Sequence, residues 1–401
     1  MRHAARRVLA INGGSSSIKF ALFETGTGLA RRLHGLVDRV GLPGTTLAFT
    51  RSAAGARERQ DIGTLDRPSA VRFLIDWLER TVGFASIDGV GHRVVNGGLA
   101  HVEPTCVTDA LLADLHAISA YTPEHLPAEI ALIEAFRERL PNVPQVACFD
   151  TAFHRSLPAV ARMLAVPRRL QEKGVVRYGF HGLSYAYVVD ALAASIGPQA
   201  AQGRLVLAHL GNGASLAAVH EGRSVDTSMA FTPAAGIPMS TRTGDLDPGL
   251  VLFLARTEGM TADAFHRMVN HESGLLGVSE TSGDVRDLLA REATDARAAE
   301  ALALFCYEVT KRIGAFAAAL GGIDCLVFTG GIGEHAAPIR ERICEGLGFL
   351  GIEIDAARNS AHAARISPDS GRVDVRIVAT DEEIMIGQAV DRLLASSARE
   401  E

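Results

Sequence analysis

Four polar residues stand where an apolar run ends or where glycine bends the backbone. They are Arg93 in "GHRVVNGG", Asp150 in "ACFDTAFH", His181 in "RYGFHGLSY" and Arg242 in the long stretch "DTSMAFTPAAGIPMSTRTGDLDP". Two guanidinium groups, an imidazole and a carboxylate are the equipment for holding an anion and balancing charge that moves on it. Each residue also has an ordinary reading. A lone arginine is most often solvated or in a surface ion pair. A lone histidine is more often a satisfied structural group than a catalyst. An aspartate at a strand end is often a turn or helix cap. Shared context favours chemistry, because strand ends and glycine turns are where ligand crevices form in α/β proteins. The segment 226–248, which has neither helical nor strand period, belongs to the kind of long loop that carries function.

Three glycine clusters add phosphate chemistry. The first is "INGGSSSIKF" (11–20), in which an apolar strand meets two glycines and three serines and resumes with Lys19. A Gly/Ser run reads as a flexible linker, but this one is short and has apolar runs on both sides. As a hairpin turn it would aim backbone N–H groups and hydroxyls at a phosphate. It has an echo: "LAINGGSSSIKFAL" from Leu9 resembles "LAHLGNGASLAAV" from Leu207, with Gly13 on Gly211, Ser17 on Ser215 and Ile18 on Leu216. Short Gly-rich hairpins can coincide by chance. Duplicated halves, each with one phosphate hairpin, would grip polyphosphate from both sides. The third cluster is "CLVFTGGIGEH" from Cys325, where a strand enters Gly330 to Gly333 and a helix is expected from Ala336. Glycines allow close backbone approach and a helix N-terminus favours anions. No GxxxxGK[ST] is present, which excludes a P-loop, and the third cluster is not GxGxxG.

These residues need strands to position them. Apolar runs predict strands at 8–12, 90–95, 143–149, 205–209 and 326–329, alternating with helices at 69–80, 127–139, 296–320 and 382–394, an α/β pattern. The longest helix carries Leu302, Phe305, Val309, Ile313 and Phe316 at three- and four-residue steps. Residues 25–65 read as hairpins and loops. At 401 residues the chain is too long for one core, so two domains are expected. With 47% apolar and 21% charged residues it is an ordinary globular mix. The net charge of -6 argues against nucleic acid as partner. No apolar run is long enough to span a membrane, and the run 8–11 behind Arg2, Arg6 and Arg7 is too short for a signal peptide. Five scattered cysteines without a CxxC pair predict buried thiols in a reducing cytoplasm, not a disulfide framework or a zinc site.

Taken together, "NGGSSSIKF", "FDTAFH", "YGFHGLSY", "HLGNGAS", "DTSMAFTP" with "STRTGDLDP", "SGLLGVSE", "FTGGIGEH" and "TDEEIMI" resemble the acetate kinase family over nearly the whole chain. The family sits within the actin, sugar-kinase and Hsp70-type ATPase superfamily. The resemblance implies an α/β fold of two ribonuclease-H-like (actin-type ATPase) domains flanking a central cleft. Their expected bounds are 1–150 with 384–401, and 151–383. It implies reversible transfer of the ATP γ-phosphoryl to a short-chain carboxylate, with Mg2+ (or Mn2+ in its place), in a cytoplasmic homodimer that engages neither membrane nor nucleic acid.

By the same resemblance, Asn12 and Glu382 support the metal and Lys19 meets the nucleotide phosphates. His209, Leu210, Gly211, Asn212 and Gly213 form the second phosphate hairpin. Asp284, Val285 and Arg286, with Gly331, Ile332, Gly333, Glu334 and His335, border the adenosine. Arg93 binds the acyl substrate, Asp150 is the catalytic carboxylate, and His181 and Arg242 stabilise the transition state. Val95, Ala120, Phe180 and Pro233 would wall the acyl chain. The chain departs from the family where "AYTP" (120–123) replaces "LHNP", "GIGEH" replaces "GIGEN", and Val285 replaces a larger apolar residue, which leaves acyl length and phosphoryl donor open.

The chemistry agrees. A carboxylate is already ionised at neutral pH and needs no general base. Its approach to the γ-phosphate costs about 4 kcal/mol per pair of unit charges at 4 Å and an effective dielectric of 20, which cations must offset. Two other readings stand beside this one: a kinase of another small acid or a sugar, and a non-catalytic actin- or Hsp70-type ATP-binding module. A neutral sugar has no use for the two arginines.

Overall fold

The computed structural model describes residues 5–14, 16–26, 28–52 and 55–400, with side chains described as far as 396. Ser15 of the first glycine turn therefore lies outside the described residues. Two compact units form: one runs to Ala152 and resumes at Asp381, the other is Phe153–Thr380. The return crossing thus falls at 381 rather than 384, and the outward one at 152 rather than 150. The physical reason is that Asp381 pairs with Arg31 and that Asn12 donates to both Glu382 and Glu383, which ties these residues to the first unit.

The first unit contains β1 (Arg7–Gly13), β2 (Ser17–Thr25), β3 (Leu29–Asp38), β4 (Thr46–Arg51), β5 (Arg57–Asp61), β6 (Gly89–Val94), β7 (Thr105–Cys106) and β8 (Gln145–Phe149). Their order is β5-β4-β3-β2-β1-β6-β8-β7. β1, β2 and β3 form an antiparallel meander, and β6 and β8 run parallel to β1. The described residues of 25–65 form the expected hairpins and loops. The second unit contains β9 (Leu205–Leu210), β10 (Ala214–His220), β11 (Arg223–Thr227), β12 (Cys325–Thr329) and β13 (Asp374–Ile377), in the order β11-β10-β9-β12-β13. Again a three-strand meander is followed by two strands parallel to its first. The sequence echo is therefore architectural: β1–β2 and β9–β10 are corresponding hairpins.

Their turns differ in length. Gly13 pairs with Ile18, leaving four residues in the first turn, whereas Leu210 pairs with Ala214, leaving three in the second. Ser17 and Ser215 consequently do not occupy matching places. Ser17 opens β2, while Ser215 is buried opposite His209.

The central parallel strands β8 and β12 are buried along their whole length, as strands covered on both faces must be. In the first unit Trp77 packs between Phe20 and Phe49, with ring centroids 5.5 and 4.8 Å away. Trp77 lies on helix Arg67–Val82, which Asp66 caps by accepting the Ser69 N–H. The C-terminal helix Glu382–Glu400 returns to lie on β1 and β6. Glycine at 91 makes room for it, since a Cβ there would sit 2.3 Å from Ile386 Cγ2. In the second unit helix Ala296–Leu320 buries all five of its expected apolar stripe residues. The glycine cluster at 330 is itself helical over Gly330–His335, and the helix expected from Ala336 follows it at Ala337–Glu345, with Ala336 as the residue between them. The Glu334 carboxylate accepts the Gly330 N–H and so closes that first turn on itself. Four cysteines are buried as expected, but Cys106 is exposed. Among the described residues no helix is long and apolar enough to cross a membrane.

Candidate active site

In the first unit the β1–β2 register sets Asn12 directly across from Lys19. The Asn12 Nδ2 donates to Glu382 Oε2 and to Glu383 Oε1, both at 2.8 Å. Both glutamates lie in the first turn of the returning helix, where its dipole favours negative charge. Burial pushes the Glu383 carboxyl up, Lys19 draws it down, and the Glu382 charge adds to the rise.

At the end of β6, Arg93 is held on three sides. Its Nε and Nη2 donate to Asp150 Oδ2 at 3.0 and 2.6 Å. Its Nη1 donates to Glu129 Oε1 and to the Gly13 carbonyl, both at 3.2 Å. Asp150 follows β8 directly, is fully buried, and its N–H donates to the Val94 carbonyl. Burial works against the Arg93 cation, but Asp150 and Glu129 outweigh it and the pKa rises. Val95 is buried and its N–H donates to Glu129 Oε2 at 2.7 Å. Arg67 donates to the Gly14 carbonyl of the first glycine turn at 2.6 Å. Ala120 lies in the short turn Ser119–Tyr121 and is exposed.

In the second unit His181 adopts a left-handed conformation, φ 59°, immediately before helix Gly182–Ile196. Such a backbone is uncommon outside glycine. Its Nδ1 lies 2.8 Å from Ser215 Oγ, which also bonds the Tyr185 hydroxyl. The His181 ring stacks on His209 with centroids 4.3 Å apart, and His209 Nδ1 lies 2.8 Å from Ser184 Oγ. Arg242 reaches the same place. A Cβ on Gly213 would stand 3.3 Å from His181 Nε2 and 3.7 Å from Arg242 Nη1. Arg242 Nη1 also donates to the carbonyl of Pro233, which is buried, as is Phe180 next to His181.

The β9–β12 pairing sets Thr329 beside His209, so the hairpin His209–Gly213 adjoins the glycine cluster at 330. A Cβ on Gly211 would be 4.0 Å from the Gly331 nitrogen. Leu210 is buried within this hairpin. Ser240 links a third segment: its N–H donates to the Asn212 carbonyl and its hydroxyl to the Gly283 carbonyl. Asp284 then caps helix Val285–Arg291 and pairs with Arg286, whose hydrogen bond holds the carboxyl below its usual range. Val285 is buried, while Arg286 and His335 are exposed. Glu334 accepts the N–H groups of Gly330 and Thr380. Arg340, fully buried, donates to the carbonyls of Gly333, Glu334 and Asn359 at 2.9, 3.1 and 2.8 Å and so holds the helix that carries Ile332 and Gly333.

A model of the acetokinase family matches residues 7–388. The chain belongs to that family. It is 44% identical over 392 residues to an acetate kinase of Rhodopseudomonas palustris (strain ATCC BAA-98 / CGA009), covering 96% of this chain and 98% of that protein. It is 42% identical over 396 residues to a propionate kinase of Citrobacter rodentium (strain ICC168), with 97% of each covered. A solved propionate kinase from Francisella tularensis is similar with TM-score 0.89 at 33% identity, over 96% of this chain and 99% of that one. The acetokinase is thus a phosphotransferase acting on a carboxyl group, on an actin-like ATPase fold.

The donor set of this acetokinase suits a hard divalent cation. Mg2+ takes oxygen ligands, usually one or two carboxylates with waters and substrate phosphates. Glu382 and the Asn12 amide supply such oxygens, and the crowding of Glu382 against Glu383 is a like-charge strain that a divalent charge relieves. Among the described residues no cluster of three or more His, Cys, Asp or Glu could hold a metal by itself. Sequence reasoning passed over Glu129, Glu383, Arg67, Ser184, Tyr185 and Arg340. Glu129 left a signal: it falls among Leu126, Ile130 and Ile133 on the apolar face of helix Leu126–Arg139, where a charge needs a partner.

Proposed function

We propose that this acetokinase transfers the γ-phosphoryl group of ATP reversibly to the carboxylate of acetate or propionate, giving an acyl phosphate and ADP in the cytoplasm. The observation that carries this reading is the Arg93 guanidinium, nearly buried and braced by Asp150, Glu129 and the Gly13 carbonyl. A fixed cation of this kind suits an anionic acceptor and not a sugar hydroxyl. Arg93 takes the carboxylate, and Asp150 is the catalytic carboxylate that orients it. Val95, Ala120, Phe180 and Pro233 wall the alkyl chain. Lys19 and the backbone of His209–Gly213 hold the ATP phosphates. Asp284 to Arg286 and Gly331 to His335 border the adenosine.

His181 and Arg242 stabilise charge on the phosphoryl group in flight. The Tyr185 hydroxyl donating to Ser215, and Ser215 to His181 Nδ1, would leave Nε2 carrying the proton and facing the hairpin. The remaining task is positioning and electrostatics, which is what phosphoryl transfer asks of a protein. Asn12 and Glu382 would hold Mg2+, which supplies charge neutralisation on the phosphates.

The working form is a homodimer. Helix Gly249–Thr257 supports this, because Val251, Leu252 and Phe253 are exposed on it and only Leu254 is buried.

The test is acyl phosphate trapped as hydroxamate with acetate, propionate and butyrate. ATP- and carboxylate-dependent product is the expected result. Nucleotide binding without carboxylate-dependent turnover would support a non-catalytic module instead, and turnover with a sugar but no acid would support a sugar kinase.

A further inference from the structure

Beyond bracing Arg93, Glu129 has no role assigned above, yet it touches two of the groups that carry those roles. One oxygen accepts from Arg93 Nη1 at 3.2 Å, and the other accepts the Val95 N–H at 2.7 Å. A single buried carboxyl thus bridges the polar and the apolar ends of the proposed acceptor subsite. We propose that Glu129 is a positioning residue for the carboxylate acceptor: it fixes the Arg93 guanidinium against the Val95 peptide, and its own charge decides how much of the Arg93 cation is left for an incoming anion. The inference rests on the assignment of Arg93 to the acceptor.

The charge balance makes this consequential. Arg93 pairs directly with Asp150 and, when ionised, with Glu129, two negative charges against one positive within the trio, and the Glu382 charge acts on it from further off. A substrate carboxylate would enter as a third. With Glu129 protonated the trio is neutral before substrate arrives, and the anion is accepted more readily. The groups facing Glu129 are Arg93 from β6, Asp150 beyond β8, the Val95 N–H, and Arg67 from the start of helix Arg67–Val82. The ionic links from helix Asp109–Ala117, His116 to Glu134 and Asp109 to Arg137, lie more than a turn further along the Glu129 helix. Burial pushes the Glu129 carboxyl up, Arg93 and the Val95 N–H oppose it, and the balance lies at about 7. The acceptor itself stays ionised throughout the neutral range. The sign follows: as pH rises through neutrality Glu129 ionises, competes for Arg93, and acceptor binding weakens.

Two measurements test this. Proton uptake on acetate binding is read by calorimetry at about pH 7.5 in two buffers of different ionisation enthalpy. The wild type takes up a fraction of a proton and Glu129→Gln takes up none, because Gln keeps an acceptor for Val95 but cannot titrate. In steady state, the wild-type KM for acetate rises about threefold to thirtyfold between about pH 6 and about pH 8.5. In Glu129→Gln it is flat, with the KM for ATP unchanged in both proteins. Acetate binding without proton uptake in the wild type, or a pH-dependent KM that survives in Glu129→Gln, overturns the proposal. A wild type that makes no acyl phosphate overturns the proposed function instead, and the calorimetric result still judges Glu129. Should Glu129→Gln fail to fold, the wild-type proton uptake decides alone.

Discussion

His181 Nδ1 lies 2.8 Å from Ser215 Oγ, although the two residues come from a helix start and the middle of a hairpin. In the proposed relay the serine sets which way the imidazole points and which nitrogen carries the proton. Ser215→Ala is expected to lower kcat about tenfold to a hundredfold, the cost of a misplaced catalytic group. Both KM values should change little. Equal turnover in the variant, with both substrates saturating, would remove Ser215 and its relay from the mechanism.

Arg242 is positioned through its backbone. Gly274 has φ 62°, and a Cβ there would meet the Met239 carbonyl at 2.1 Å and the Arg242 carbonyl at 2.6 Å. Gly274→Ala should therefore displace the Arg242 loop and lower kcat in the same direction as Arg242→Ala, for which about 10²–10³ is the usual loss of one transition-state donor. The double variant should be little worse than Arg242→Ala alone. Additive losses in kcat would show that Gly274 acts elsewhere.

Lys19 and Arg93 should separate the two substrates. Lys19 is exposed on β2, so Lys19→Ala should raise the KM for ATP while changing stability by no more than about 0.5 kcal/mol. Arg93 is different, because its loss would leave Asp150 and Glu129 buried beside one another. Arg93→Ala should cost about 3–5 kcal/mol of stability as well as acceptor binding. Arg93→Lys keeps the charge but not the fork geometry, and should raise chiefly the KM for the carboxylic acid. Denaturant unfolding with steady-state kinetics checks both, and a swapped KM pattern would contradict the arrangement.

Arg340 should report on the nucleotide side. Replacing it by Leu strips the donor from the carbonyls of Gly333, Glu334 and Asn359, each worth about 1–3 kcal/mol when left buried and unmet. Arg340→Leu is expected to lower the unfolding midpoint and raise the KM for ATP, leaving the KM for the acid alone. A raised KM for the acid instead would place the effect in the wrong half of the reaction.

Chain length is the remaining prediction. Ala120 is exposed in its turn, so leucine can be introduced there without disturbing a core. If alanine leaves room for one more methylene, worth about 0.8 kcal/mol on burial, propionate should rival acetate in kcat/KM. Ala120→Leu should shift preference toward acetate. A wild type that prefers acetate by more than about a hundredfold, unchanged in the variant, would exceed what one methylene can do and refute the idea.

The elements that present the chemistry were legible in the residues themselves. β1, β6, β8, β9 and β12 appear as apolar runs ending at glycine or a polar residue, and those ends hold Asn12, Arg93, Asp150 and His209. Such signals are local: a strand, a turn and a helix start each depend on a few neighbouring residues, so their demands show in order along the chain. Pairing does not show. Arg93 meets Glu129 from 36 positions away and Asp150 from 57, because β6 and β8 are neighbours in the sheet and helix Leu126–Arg139, in the connection from one to the other, packs on β6. Glu383 joined Asn12 from 371 positions away, and Arg340 joined Asn359 from 19, through packing that also lies beyond local sequence. The equal alignment of Ser17 with Ser215 failed for a related reason: one hairpin turn is longer than the other, and register is decided by cross-strand bonds. Residue types at backbone turns were therefore set by sequence alone, while the partners that tune their charge were chosen by strand order and helix packing, where burial makes an unpaired charge too costly to keep.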